Sequence, residues 1–460
     1  MIMKIGLLPL YVKLYDDKLP ELRIRLEKFY NEIAGMLEER GMTVVKSDFC
    51  RLSDEFSAVV KTYEEENVDA IVTLHMAYSP SLESIEALKG TVLPIVVLDT
   101  TETLDFTNMQ DPGEIMYNHG VHGVMDMCSM LTRYGKEYVI AAGHYKESAC
   151  IDEVCGYVRA IVAAKSLEGS KTGLIGGLFD GMGDIQVPFA ELKQRFGVTV
   201  CELDSSTVAG YYDAVSEDEI AAEKNANAAR FEFADGIIEE EYDKSVRSAL
   251  AVRRAVEENG FAAFSINFTR MGKESGLASM PFIECCKSME NGIGYAGEGD
   301  VLTASFVGAL IKSYPEINFV EIFCPDWKNN ALFLSHMGEV NYRVAAMTPK
   351  ISRVGVNYSP GEYPYVGYTR MKGGKGVFLN VCRGKDDFKL VLTEAEMVDY
   401  DADNFEGSMR GWMKVKDDCG DFLKKYSQNG ATHHSIFVYG ASAEEIAYFG
   451  HLLNIETVVI

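Results

Sequence analysis

The sequence predicts an α/β protein: two successive α/β regions built on parallel sheets, followed by a β-rich region of barrel or sandwich type. Three observations predict it. Through the first third, short apolar runs alternate with amphipathic stretches of helix length, the pattern of parallel strands with helices on the sheet faces. The pattern restarts after about residue 168, following the polar, Gly-containing stretch Lys165–Lys171, which reads as an interdomain linker. After about residue 316 the segments alternate or are β-rich, with Gly and polar turns between them and few long helical patterns.

The elements follow in order. Lys4–Val12, Val68–His75, Leu93–Asp99 and Tyr138–Gly143 read as buried strands. Leu19–Arg40 reads as a helix, with Leu22, Ile24, Leu26, Phe29 and Tyr30 in a roughly helical pattern. In the second region Lys171–Leu178, Val198–Leu203 and Ala262–Phe268 read as strands, and Ile220–Ala234 and Ser245–Asn259 as helices. The acidic runs Glu217–Glu223 and Glu239–Glu241 read as solvated helix faces. Val301–Ser313 reads as a largely apolar, buried helix. In the third region Ile317–Cys324, Arg343–Met347, Gly376–Cys382, Phe388–Glu394 and His434–Tyr439 read as strands. The expected domains are residues 1–168, 169–316 and 317–460.

Composition narrows the function. The 460 residues carry 44 Lys and Arg against 69 Asp and Glu, a net charge of −25. Nucleic acids and anionic membrane surfaces, which require basic patches, are disfavoured as main partners. No uncharged apolar run is long enough to span a bilayer, and the N-terminus lacks a signal-peptide pattern, so a cytoplasmic location is expected. The ten cysteines are scattered without a CxxC pair, which gives no support to a zinc ribbon or a thioredoxin-like site.

Several residues are equipped for chemistry, each with a plain structural reading beside the functional one. The Gly-rich run Gly173–Gly183 follows a strand but lacks the register of a dinucleotide motif and the lysine of a P-loop, so it reads first as a tight loop. Glu298, between Gly297 and Gly299, precedes the helix that starts near Val301, where a carboxylate is favoured by the helix dipole. The same turn also reads as a capping turn with Asp300 as the cap. Alternation along Ile317–Cys324 puts Glu321 on one face with Ile317, Phe319 and Phe323, where a bare carboxylate is too costly to bury. It must there be paired, protonated or metal-bound, unless that face is a solvated edge. His336 shares its face with Leu332 and Leu334 and reads equally as a core histidine. His433 and His434 are adjacent on a strand, so at most one faces a given site. Two carboxylates and two imidazoles together form a plausible set of ligands for a six-coordinate divalent metal such as Mn²⁺, Co²⁺, Ni²⁺ or Fe²⁺, with two positions left for substrate oxygens.

These segments are similar to motifs of the L-arabinose isomerase family, within the broader L-fucose/L-arabinose isomerase-like group. Ala296-Gly297-Glu298-Gly299-Asp300-Val301-Leu302-Thr303-Ala304 resembles the family's metal-site loop. Leu334-Ser335-His336-Met337-Gly338-Glu339-Val340 resembles its second metal motif, and Gly430-Ala431-Thr432-His433-His434-Ser435-Ile436-Phe437 its double-His motif, with Glu321 between the first two. Weaker matches are Asn118-His119-Gly120-Val121-His122-Gly123, Val139–His144, Ser265–Phe268 and Met182. The sequence departs from the family at Gly6-Leu7-Leu8-Pro9-Leu10-Tyr11, where a sugar-contacting glutamine is absent, and at His119, where the family has a glutamine.

The resemblance implies two Rossmann-like α/β domains and a C-terminal β-barrel-like domain. It implies a divalent-metal-dependent aldose–ketose isomerase acting through a cis-enediol, with Mn²⁺ or another divalent ion on Glu298, Glu321, His336 and His434. Glu298 and Glu321 are implied to share proton transfer, and His119, His122, Met182, Phe268 and His433 to contact the sugar. Family members are homo-oligomers, commonly hexamers, in which His119 and His122 are expected to reach a neighbour's site. The retained metal set beside a changed sugar pocket leaves open an isomerase for another sugar, 6-deoxy or C6-anionic (for example sulfonated). For the anionic case Arg253, Arg254, Arg270, Lys273, Lys372 and Lys375 are candidate contacts, although surface placement accounts for most of them. A sugar-binding or regulatory relative without turnover is the alternative of another class.

Overall fold

Aliphatic runs make the first sheet; its three central strands are largely buried, while its two edge strands are not, including Tyr138–Ala142, which the sequence predicts as buried and whose Ile140 is exposed. β1 (Met3–Leu10), β2 (Met42–Lys46), β3 (Ala70–His75), β4 (Ile95–Asp99) and β5 (Tyr138–Ala142) form a parallel sheet in the order β2-β1-β3-β4-β5. β3 is buried at every residue, as a strand covered by helices on both faces must be. Leu8, Leu10, Ile71, Ile95 and Val97 pack with Phe56, Ile85, Leu88, Val124 and Met127 from the covering helices. The structure, a computed structural model, describes residues 3–460; Met1 and Ile2, the start of the expected N-terminal domain, lie outside the described residues. The chain divides into two compact units that meet between Val162 and Ala163 in sequence.

The second unit holds two further major sheets. β6 (Lys171–Ile175), β7 (Thr199–Leu203), β9 (Ala263–Ile266) and β10 (Gly294–Gly297) form a parallel sheet in the order β10-β9-β6-β7. The short β8 (Glu232–Phe233) joins β13 (Lys350–Arg353) and β14 (Tyr365–Tyr368) in a small sheet. β11 (Ile317–Asp326), β12 (Ala331–Ser335), β15 (Gly374–Arg383), β16 (Phe388–Met397), β17 (Gly411–Val415) and β18 (His434–Tyr439) close into a six-stranded antiparallel barrel in the order β15-β18-β11-β12-β17-β16 and back to β15. β19 (Glu456–Val459) adds in parallel to β16 outside the ring. The fold is thus mixed α/β with two parallel sheets and a closed barrel, the class the sequence predicts. Among the described residues, no helix is long and apolar enough to cross a membrane.

Several sequence expectations are corrected. The helix expected over Leu19–Arg40 runs Leu22–Glu39, and Ile24 is 64% exposed, off the buried stripe of Leu22, Leu26, Phe29, Tyr30 and Ile33. The helix expected to reach Ala234 ends at Arg230, because the chain turns there to form β8. Arg343–Met347 is not a strand: Tyr342–Val344 form a 3₁₀ turn that Asn341 caps. A bulge between Ile322 and Cys324 breaks the alternation of β11 and leaves Phe323 exposed, so Glu321 has two buried apolar neighbours on its face and not three. Two residues of the acidic runs are half-buried in ion pairs: Glu223 is clamped by Arg253 and Lys287, and Glu241 by Arg353. The helix Cys150–Leu167 continues into the expected linker.

Candidate metal centre

Strand ends position the centre. Glu298 directly follows β10, the loop containing Phe268 follows β9, and the Gly-rich loop follows β6, so three adjacent parallel strands deliver them at their carboxyl ends. The barrel supplies the other side. Glu321 lies on β11 opposite both Ser335 of β12 and His434 of β18, and His336 is the first residue after β12. Directly opposed residues of antiparallel strands project to the same face, which sets Glu321 beside His434.

The Glu298 backbone is held in an uncommon conformation. Its φ is +65°, in the left-handed region that a residue with a Cβ rarely adopts. Its N–H donates to Ile266 O at 3.0 Å, and its carbonyl accepts from the Phe179 N–H at 3.2 Å. Both neighbours must be glycine. A Cβ on Gly297 would meet His336 Cε1 at 2.7 Å, and one on Gly299 (φ +83°) would meet Gly177 O at 2.7 Å. The Gly-rich run is therefore the tight loop of the plain reading, packed against the Glu298 turn. The capping reading of that turn also holds, since Asp300 Oδ1 accepts from the Thr303 N–H at 2.9 Å at the start of the fully buried helix Val301–Leu310.

Glu298, His336 and His434 each offer a ligand atom, and these atoms lie within 4.8 Å of one another. Each histidine is oriented by a buried carboxylate. His336 Nδ1 is 2.7 Å from Glu339 Oε2, and His434 Nδ1 is 2.9 Å from Asp300 Oδ2. That arrangement fixes the proton on Nδ1 and turns Nε2 towards the centre, as in carboxylate–histidine–metal triads. His434 Nε2 lies 3.4 Å from Glu298 Oε2 yet has no aligned hydrogen-bond partner among the described residues, although the residue is completely buried. An orphaned, buried imidazole nitrogen facing a carboxylate is the donor set a divalent cation fits. Glu321 stands at the margin, its Oε2 4.0 Å from His336 Nε2 and its side chain 23% exposed.

The electrostatics favour a positive charge at this point. Burial alone would raise the Glu298 pKa, but His433, His434 and His336 hold it well below the usual carboxylate range. Burial likewise opposes ionisation of Glu339, and His336, the Gly338 N–H and Tyr295 overcome it. For His434, burial lowers the pKa, and Asp300 and Glu298 outweigh it, pushing it up to about 10. The surrounding carboxylates thus make this point favourable for a cation.

The remaining sequence candidates fall into two groups. In this unit, His433 Nδ1 is 2.6 Å from Asp184 Oδ2 and its Nε2 is 3.6 Å from Glu298 Oε2. Phe268 lines a cavity of about 400 Å³ that also touches His336, walled by Phe282, Phe323, Phe333 and Phe405 and free of Asp, Glu, Lys and Arg. Met182 is half-buried on the Gly-rich loop. His119 and His122 belong to the N-terminal unit, where His119 Nε2 is 2.9 Å from Tyr15 Oη and the two imidazoles are 6.0 Å apart. Of the cations considered for an anionic sugar, Arg253, Arg254, Arg270 and Lys372 are each engaged by a carboxylate, while Lys273 and Lys375 are exposed. Sequence reasoning missed Glu339 as an orienting group and Asp300 in that role; the signal present was only an acidic residue within three positions of a candidate ligand.

Comparison with known proteins bears on the family. The L-arabinose isomerase central domain profile matches residues 188–313, and the L-arabinose isomerase C-terminal domain profile matches residues 316–456, together more than half of the chain. L-arabinose isomerase 2 of Bacillus licheniformis is 24% identical over 446 residues, covering 91% of this chain and 90% of its own. L-arabinose isomerase of Oceanobacillus iheyensis is 24% identical over 443 residues, with the same shares. Among solved structures, a solute-binding protein of an ABC transporter from Agrobacterium vitis, bound with alpha-D-tagatopyranose, covers 68% of this chain and 89% of its own at 11% identity and a TM-score of 0.17, too low to carry an argument. With profile matches over both the loop that bears Glu298 and the barrel that bears His336 and His434, the chain belongs to the L-arabinose isomerase family of aldose–ketose isomerases.

Proposed function

We propose that this chain is a divalent-metal-dependent isomerase that interconverts an aldose and its ketose through a cis-enediol. The observation that carries the reading is the Glu298–His336–His434 cluster, in which Asp300 and Glu339 occupy both Nδ1 atoms and leave both Nε2 atoms facing inward. Glu298, His336 and His434 would hold the metal, with Glu321 as the fourth ligand. Mn²⁺ suits this mixed oxygen and nitrogen set, as do Co²⁺, Fe²⁺ and Ni²⁺. The bound ion would supply Lewis-acid stabilisation of charge developing on the sugar oxygens.

The chain's own groups account for the proton. Isomerisation removes a proton from C2 of the open-chain aldose and returns one to C1, which a carboxylate within reach of both carbons performs. Glu321 is suited to exchange it, being half-buried and free of a cationic partner closer than His336 at 4.0 Å. Glu298, held ionised by three imidazoles, is the complementary carboxylate. His433, fixed by Asp184, and Phe268 and Met182 are the proposed sugar contacts in this unit, and His119 and His122 those of the N-terminal unit. The family resemblance supports a homo-oligomer, with a hexamer favoured, and the domain division 1–168, 169–316 and 317–460. A fully active monomer by light scattering would remove the oligomeric part.

The test is NMR of the Mn²⁺-loaded protein in heavy water against neutral pentoses and hexoses, 6-deoxy sugars and C6-anionic sugars. Ketose carrying deuterium at C1 is the expected outcome, and Glu321→Ala should abolish it with the fold intact. Bound metal with no ketose from any sugar would overturn the isomerase reading in favour of a binding or regulatory relative.

A further inference from the structure

A second cavity, of about 280 Å³, shares Tyr368 as a lining residue with the one at His336, and two buried arginines line it. Arg370 and Arg410 are 7% and 3% exposed, and an isolated backbone bridge holds them side by side. They share one buried carboxylate. Arg370 Nη1 donates to Asp403 Oδ2 at 3.2 Å, and Arg410 Nε lies 2.6 Å from Asp403 Oδ1 without hydrogen-bond alignment. Arg410 Nη1 donates to Ser408 O at 3.1 Å, and its Nη2 faces only Met347 Sδ at 3.8 Å. Among the described residues, Arg370 Nε has no acceptor, and its Nη2 finds no carboxylate closer than the exposed Asp399 at 4.0 Å.

The charge does not balance at depth. Guanidinium groups stay protonated in proteins, so two buried cations stand against one buried anion. The other carboxylates of the cavity, on Glu232, Asp401 and Glu406, are exposed, and Lys350 lies 3.9 Å from Glu406. Solvated rim charges are screened and do not neutralise a buried one at contact range. A buried charge left without a partner is costly, and forked N–H donors match the oxygens of a tetrahedral oxyanion. We propose that this cavity binds a small oxyanion of the inorganic phosphate type between Arg370 and Arg410.

The position gives the site a consequence. The segment 401–410 walls both cavities: Asp403 and Glu406 face the arginine cavity, and Phe405, Gly407 and Ser408 face the one at His336. Asp403 Oδ1 also accepts the Phe405 N–H at 2.8 Å, so the group that balances the arginines also sets the aromatic wall beside His336. Occupation by an oxyanion therefore bears on the shape of the proposed sugar pocket. The inference stands whether or not the chain turns over a sugar.

The test is phosphate binding to the full chain, followed by ³¹P NMR and calorimetry at constant ionic strength balanced with chloride. Saturable binding that sulfate competes for is expected. It should weaken at least tenfold in Arg370→Gln and measurably in Arg370→Lys, which keeps the charge and loses the fork. Asp403→Asn should bind phosphate several-fold more tightly, because it frees donors now held by the carboxylate. Should Arg370→Gln fail to fold, the Arg370→Lys and Asp403→Asn pair decides the matter by its opposite signs. No saturable binding above the chloride control would overturn the proposal. So would equal affinity in the wild type, Arg370→Lys and Asp403→Asn, which would place the phosphate elsewhere.

Discussion

His434 in the barrel and His75 at the end of β3 are both nearly inaccessible to solvent, at 0% and 4% exposure, yet their environments act in opposite directions. Around His434, Asp300 and Glu298 outweigh burial and push the pKa up to about 10. Around His75, burial dominates a weaker contribution from Asp126 and pushes the pKa down to about 3. Neither nitrogen of the His75 ring has a hydrogen-bond partner among the described residues, and Gly123 packs so closely that a Cβ there would meet its Cδ2 at 2.3 Å. Burial alone makes a histidine neutral and inert. A carboxylate on Nδ1 turns the same side chain into a directed ligand.

The largest break in this comparison is at the shared carboxylate. Glu298→Gln should remove the charge that the two inward Nε2 atoms face, reducing turnover below detection and weakening Mn²⁺ binding, read independently by calorimetry. Retained tight binding would exclude Glu298 from the centre. A smaller effect comes from the orienting groups: Asp300→Asn and Glu339→Gln should each weaken metal binding about 10–100-fold with the ligands intact. Asp300→Asn keeps a side chain able to cap the helix Val301–Leu310, so its thermal stability should stay near wild type. Asp300→Ala should lose a further ~1 kcal/mol of stability from the missing cap. Equal metal affinity in Asp300→Asn and the wild type would show that orientation of His434 does not depend on that hydrogen bond.

The smallest effect sharpens the other side. His75 has a folded pKa below its unfolded value, so below pH 6.5 the unfolded chain takes up a proton that the native chain refuses. Its contribution to stability is present above that pH and is lost as pH falls from 6.5 towards 3, by about 1.4 kcal/mol per pH unit. His75→Leu should be within ~1 kcal/mol of wild type at neutral pH, because it removes a polar ring that makes no hydrogen bond. It should flatten the acid limb of urea-unfolding stability below pH 6. An acid limb identical to wild type would show that the unfolded and folded states bind this proton equally.

Much of the architecture was legible because it rests on local pattern. Strands buried on both faces, such as Ala70–His75, read as continuous apolar runs, and His434–Tyr439 matches its expected bounds at both ends. Pattern failed where geometry depends on the partner strand. The bulge after Ile322 and the 3₁₀ turn at Tyr342–Val344 arise from pairing and capping that no alternation records. Glu298, His336, Glu321 and His434 could be named from residue type and resemblance. The roles of Asp300 and Glu339 could not: Asp300 meets His434 only where a helix start crosses a barrel strand, and Glu339 reaches His336 through a local turn after β12 that alternation does not record. Arg370 and Arg410 carried no signal at all, being forty residues apart and ordinary in composition.

The left-handed φ of Glu298 bears on how this chain can drift. A side chain in that backbone region costs about 1–2 kcal/mol relative to an ordinary conformation, and glycine would adopt it freely. Glycines already stand on both sides. Selection for stability alone therefore pulls position 298 towards a third glycine, and only a requirement for the carboxylate resists it. A lineage released from its chemistry should lose this glutamate early, before the buried barrel residues change.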